Sequence, residues 1–84
     1  MKYCLITFRS VTPAQRGEQL LQRSGYSCTL QRTPRWMESR GCGYCLKVRH
    51  NDAAMCVQLM RDNKVTFQKV YLQLNATTTE ELEL

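Results

Sequence analysis

The chain has 84 residues, with 12 basic and seven acidic side chains and a formal net charge of +5. A chain this short makes one domain and buries only ~60% of the surface its unfolded form exposes. That excludes a deep substrate cavity set beside a cofactor domain, so a carrier, a binding module or a small subunit fits better than a freestanding enzyme.

The charge is unevenly placed. Every basic residue lies at or before Lys69, while Glu80, Glu81 and Glu83 fall in the last five positions. The body therefore faces an anionic partner such as RNA, an acidic protein surface or an anionic small molecule, with a plainly solvated surface as the competing reading. No apolar run approaches the ~20 residues that span a bilayer, so no membrane partner is expected. The opening Tyr3-Cys4-Leu5-Ile6-Thr7-Phe8 reads as a first strand rather than a leader, because Thr7 and Arg9 interrupt it and no small-residue cleavage site follows. The five cysteines are an odd number. Cys4, Cys28 and Cys56 fall inside expected elements, where the residue acts as a small apolar side chain. A reducing compartment, the cytoplasm, follows.

Tyr3 to Phe8 is the first strand. Ser10 to Gln15 starts a helix, with Thr12 as its N-cap, Pro13 at the first helical position and Gln15 completing a capping box. Ala14, Gly17 and Leu21 line its apolar stripe, Arg16, Gln19, Gln22 and Arg23 face solvent, and Gly25 supplies the left-handed stop. Tyr26 to Gln31 alternates as a half-buried strand. Thr33 to Gly43 breaks the pattern with Pro34, Gly41 and Gly43 and is charged by Arg35 and Arg40. Tyr44 to Arg49 alternates again, with Tyr44, Leu46 and Val48 on one face. Asn51 or Asp52 caps a second helix with the stripe Ala53, Cys56, Val57 and Met60, ended by Asn63 in a left-handed conformation. Val65 to Leu74 is the last and longest strand, and residues 75–84 form a polar acidic tail. This βαββαβ order predicts an α+β fold of the ferredoxin-like kind over residues 1–74, with a four-stranded antiparallel sheet and two helices on one face. The fold hosts many activities and names none.

Chemistry concentrates in the loop. Cys42-Gly43-Tyr44-Cys45 brings two thiols within reach of each other if the backbone turns, and Gly41 and Gly43 permit a turn. Arg32, Arg35 and Arg40 favour thiolate, the nucleophilic form. Such a thiolate can take the terminal sulfur or selenium of a persulfide or its selenium analogue and pass it on, while a second thiol can resolve it as a disulfide. Cys42, ahead of the strand, is the candidate attacking thiol, and Cys45 is the candidate second thiol. The motif does not open a helix, which argues against a thioredoxin-type oxidoreductase. Two other readings stand beside this one. Cys42, Cys45 and His50 give three metal ligands where structural zinc takes four, so no metal is assigned. Arg40 to Lys47 partly matches the RNA-recognition signature, with Cys42 and Lys47 in place of two stacking aromatics. No cofactor motif is present, and Trp36 and Met37 are either core cover or a contact patch.

The residues Tyr3 to Ser10, the helix after them, Thr33-Pro34-Arg35 and the Cys42-Gly43 pair together resemble the short bacterial proteins of the putative Se/S carrier-like family. The resemblance runs from Tyr3 to the last strand. It implies a cytoplasmic carrier of sulfur or selenium, with protein donor and acceptor partners and Cys42 as the carrying residue. Cys45 stands where relatives are expected to hold an apolar residue, so its role is read from this sequence alone. The alternative is a non-catalytic binding module for RNA or a protein. An exposed sheet edge leaves room for a homodimer.

Overall fold

The computed structural model describes residues 2–34, 43–76 and 78–84. Its elements are β1 (Tyr3–Phe8), α1 (Val11–Arg23), β2 (Cys28–Arg32), β3 (Tyr44–Arg49), a short 3-10 turn (His50–Asp52), α2 (Ala53–Asp62), β4 (Val70–Gln73) and β5 (Thr79–Leu82). All strand pairs are antiparallel and the sheet runs β2-β3-β1-β4-β5. The fold is α+β, as the order of elements implies. The sheet has five strands rather than the expected four, because Thr79–Leu82 pairs along β4 where a polar acidic tail was expected. Its acidic side chains do not prevent this: the backbone supplies the ladder, and Lys69 Nζ lies 3.2 Å from Glu81 Oε1.

Alternation sorts the side chains of each strand onto two faces. Cys4, Ile6, Phe8, Leu46, Val48 and Val70 share one buried cluster with the helix stripes Ala14 and Leu21 of α1 and Ala53, Cys56, Val57 and Met60 of α2. Both helices therefore cover the same face. Gly17 lets α1 approach closely: a Cβ there would lie 3.2 Å from Leu46 Cδ1 and 3.4 Å from both Met60 Sδ and Phe8 Cζ.

Both helices end in Schellman motifs. At the end of α1, Gly25 N–H donates to Gln22 O (3.1 Å) and Tyr26 N–H to Leu21 O (2.9 Å), with Gly25 at φ 90°. At the end of α2, Lys64 N–H donates to Arg61 O (3.2 Å) and Val65 N–H to Met60 O (2.8 Å). The left-handed residue there is Lys64, at φ 57°, rather than Asn63, which stands one position earlier as the C-cap. At its other end, α1 begins earlier than its capping pattern suggests. Ser10 is the extended N-cap, without a side-chain bond, and Pro13 becomes the third helical residue. Proline is tolerated there because the first-turn N–H groups have no intrahelical partner. The 3-10 turn leads into α2 with helical dihedrals, so Asp52 makes no side-chain cap.

The last expected strand is also shorter than its β-rich sequence suggests. Before β4, Gln68 N–H donates to Thr7 O, Thr7 N–H donates to Lys69 O, and Lys69 N–H donates to Thr7 Oγ1. Two residues thus oppose one, as in a β-bulge, and the regular ladder starts only at Val70.

Candidate functional site

The loop between β2 and β3 leaves and returns at a closed neck. Arg32 pairs with Tyr44 in the ladder, and Thr33 N–H donates to Gly43 O at 3.1 Å. The neck carries a cation, since the guanidinium carbon of exposed Arg32 lies 5.3 Å from the centre of the Tyr44 ring. Of the expected site residues, Arg32, Gly43 and Cys45 are described, whereas Arg35, Arg40, Gly41 and Cys42 lie outside the described residues, as do Trp36 and Met37. Gly43 is not held by backbone handedness or crowding. Its φ is not positive, and a Cβ there would meet nothing within 4 Å.

Cys45 sits on the face of β3 that the helices do not cover, between Thr7 and Gln31 in the register, and is fully buried. Burial pushes its thiol above the ordinary value, and the side chains of Gln31 and Thr33 beside it pull partly the other way. The buried Thr33 Oγ1 has no hydrogen-bond partner of its own among the described residues, which leaves its hydroxyl free to donate should the sulfur become an anion.

The other described thiols are held protonated as well. Burial raises Cys4. Burial and then Glu18 raise Cys28, whose Sγ donates to Glu18 O at 3.7 Å. Burial, then Asp52 and the neighbouring Cys28 and Cys4, push Cys56 up to about 12. None of these four thiols offers a thiolate at neutral pH.

The two alternative readings of the loop fare differently in three dimensions. Cys45, near the start of β3, and His50, the first residue after it, stand five residues apart, or about 16 Å at strand rise, too far to share a metal ion. Among the described residues, no three His, Cys, Asp or Glu side chains gather as a metal cluster. Tyr44, the aromatic at the centre of the partial RNA-recognition signature, packs against the helix-covered core and cannot present its ring on the open face.

A second concentration of functional groups lies at the far end of β3, where the turn between α1 and β2 meets the sheet. A cavity of about 590 Å³ is lined there by Tyr3, Tyr26, Cys28, Lys47 and Arg49, among others. The spacing Lys47-x-Arg49 in an alternating strand is the sequence signal for two cations on one face. Without the register that sets Arg49 opposite Tyr3, it stays inconspicuous beside the loop arginines.

No described helix is long and apolar enough to cross a membrane. No curated protein and no solved structure matches the chain. The family described as Putative Se/S carrier protein-like matches it over residues 3–72, from the start of β1 into β4. With most of its length inside that match, the chain belongs to the Se/S carrier-like family.

Proposed function

We propose that the protein carries sulfur or selenium on Cys42, receiving it from one protein partner and delivering it to another in the cytoplasm. Family membership supports the cargo. The observation that carries the choice of residue is the state of the other thiols: Cys4, Cys28, Cys45 and Cys56 are all raised by burial. Cys42 is the one cysteine left for thiolate chemistry, and Arg32 at the neck, with Arg35 and Arg40 in the same loop, supplies the positive charge that favours it. The strands β2-β3-β1-β4 and two helices support a ferredoxin-like body with β5 added at one edge.

The transfer is a displacement at sulfur. The Cys42 thiolate attacks the outer sulfur of a donor persulfide, a new S–S bond forms on Cys42, the donor S–S bond breaks and the donor thiolate leaves. An acceptor thiolate repeats the step on the loaded Cys42. Cys45 governs a side reaction. Its thiolate would attack the inner sulfur of the Cys42 persulfide, closing a Cys42–Cys45 disulfide and expelling hydrosulfide. Keeping Cys45 buried and protonated suppresses that loss, so the cargo waits for its acceptor.

The test is persulfide loading from a cysteine-desulfurase-type donor, read by intact mass. Wild type and Cys45→Ser gain one sulfur, and Cys42→Ser gains none. Equal loading of Cys42→Ser overturns the reading.

A further inference from the structure

We propose that the cavity at the C-terminal end of β3 is a binding site for a phosphate-bearing ligand of nucleotide size, separate from the cysteine loop. Lys47 and Arg49 project from the same face of β3, and Arg49 also borders an adjoining hollow of about 320 Å³ with Lys2 and His50. Among the described residues, no carboxylate lines either space. Lys2, Lys47 and Arg49 form no ion pair with any described residue. Several cations gathered without a counter-charge repel one another, and the arrangement becomes favourable when an anion of more than one charge sits among them. The planar guanidinium of Arg49 suits two phosphate oxygens at once, and Lys47 adds a point charge.

The remaining walls say what else the ligand carries. Lys47 Nζ stands 4.3 Å from the centre of the Tyr3 ring, so one tyrosine is held beside the cationic pair. Tyr26, which also packs against the core, and the polar residues Gln22, Ser27 and Thr29 line the same space. The space is an open hollow, and its volume of about 590 Å³ is larger than a lone phosphate needs. Aromatic walls beside hydroxyl and amide groups fit a ring and a sugar next to the phosphate. The loop neck at Gly43 stands six residues from Arg49, about 20 Å at strand rise.

The experiment is a titration of the full chain with adenosine 5′-monophosphate, followed by two-dimensional NMR, with inorganic phosphate and a single-stranded oligoribonucleotide in parallel. The expected result is saturable shifts confined to Tyr3, Tyr26, Thr29, Lys47 and Arg49, weakened by salt and unchanged in Cys42→Ser. Binding falls by roughly tenfold in Lys47→Gln and in Arg49→Gln, the loss of one charge-assisted bond each. Both side chains reach solvent, and the undisturbed remainder of the spectrum reports that each variant is folded. Inorganic phosphate binding as tightly as the nucleotide overturns the ring subsite. The absence of saturable shifts, or shifts indifferent to both variants, overturns the site. An oligoribonucleotide footprint spreading over the open face, with no cavity-confined response to the nucleotide, assigns the cations to a nucleic-acid surface and overturns it as well.

Discussion

One face of the sheet carries the apolar core across its central strands, with Arg32 and Glu80 at its margins on the outer strands, and the other changes character along its length. Under the helices, Cys4, Ile6, Phe8, Leu46, Val48 and Val70 form one continuous cluster with the stripes of α1 and α2. On the opposite face, Thr7 and Cys45 are buried near the neck of the loop and Leu5 is buried opposite Lys47, while Lys47 and Arg49 open toward the cavity at the other end of β3. The first face needs only shape and hydrophobicity, and tolerates no gap. The second combines a protonated thiol with a hydroxyl and cations that have no hydrogen-bond or ion-pair partner among the described residues. Stability and chemistry are thus assigned to opposite sides of the same strands, so a substitution one residue along β3 acts on a different property.

The largest effect expected from this division comes at Leu46. Its side chain is fully buried under α1, and Leu46→Ala should cost about 2–5 kcal/mol in chemical denaturation, whereas the adjacent Lys47→Gln should stay within about 1 kcal/mol. Comparable losses at both positions would break the comparison. Gly17→Val comes next. Two methyl groups placed where a single Cβ already meets Leu46 and Met60 within 3.4 Å force α1 off the sheet, at about 1–3 kcal/mol in the same measurement.

Much of the helix-covered face could be read from the sequence, because burial there follows from local period alone. The bounds Tyr3–Phe8 and Tyr44–Arg49 and both helix stripes stand as the alternation and the 3.6-residue spacing place them. The misreadings arise where backbone pairing outweighs side-chain preference. Thr79–Leu82 forms an edge strand despite its carboxylates, and the β-formers Val65, Thr66 and Phe67 precede the ladder because of the step at Thr7. The site is less legible. The thiol pair is visible as a motif, yet that Cys45 is buried depends on its neighbours Thr7 and Gln31, contributed by strands distant in sequence. The grouping of Tyr3 with Lys47 and Arg49 likewise exists only once β1 and β3 are in register.

The protonated thiols sharpen the comparison through pH. Cys56, on the helix-covered side, is raised to about 12 from an ordinary value of 9.0. Below that ordinary value both folded and unfolded chains hold the proton, and its contribution to stability is fully present. As the pH rises above it the unfolded chain loses the proton first, so stability falls, by up to about 1.4 kcal/mol per pH unit, until the folded thiol also ionises. Denaturation curves between about pH 8.5 and 10.5 should therefore slope more steeply downward for wild type than for Cys56→Ala. Parallel slopes would show that this thiol is not held up by burial. On the other face the same logic applies to chemistry: sulfide release from protein loaded on Cys42 should increase as the pH rises toward the raised value of Cys45, and Cys45→Ser should abolish the increase.

The smallest effect separates the two helix ends. Each closes with the same pair of backbone bonds, but α1 uses Gly25 in the left-handed position and α2 uses Lys64. A side chain in that conformation costs roughly 1–2 kcal/mol relative to the right-handed region, and glycine avoids the clash. Glycine also has more freedom to lose on folding, which offsets part of the gain. Lys64→Gly should therefore stabilise the chain by less than about 1 kcal/mol, seen as a small upward shift of the thermal midpoint. Gly25→Ala should move it down, because the same geometry is now imposed on a Cβ although no neighbour lies within 4 Å of it. Opposite signs from substitutions in one motif would place the cost in the backbone dihedral; equal signs would place it in contacts made by the Lys64 side chain.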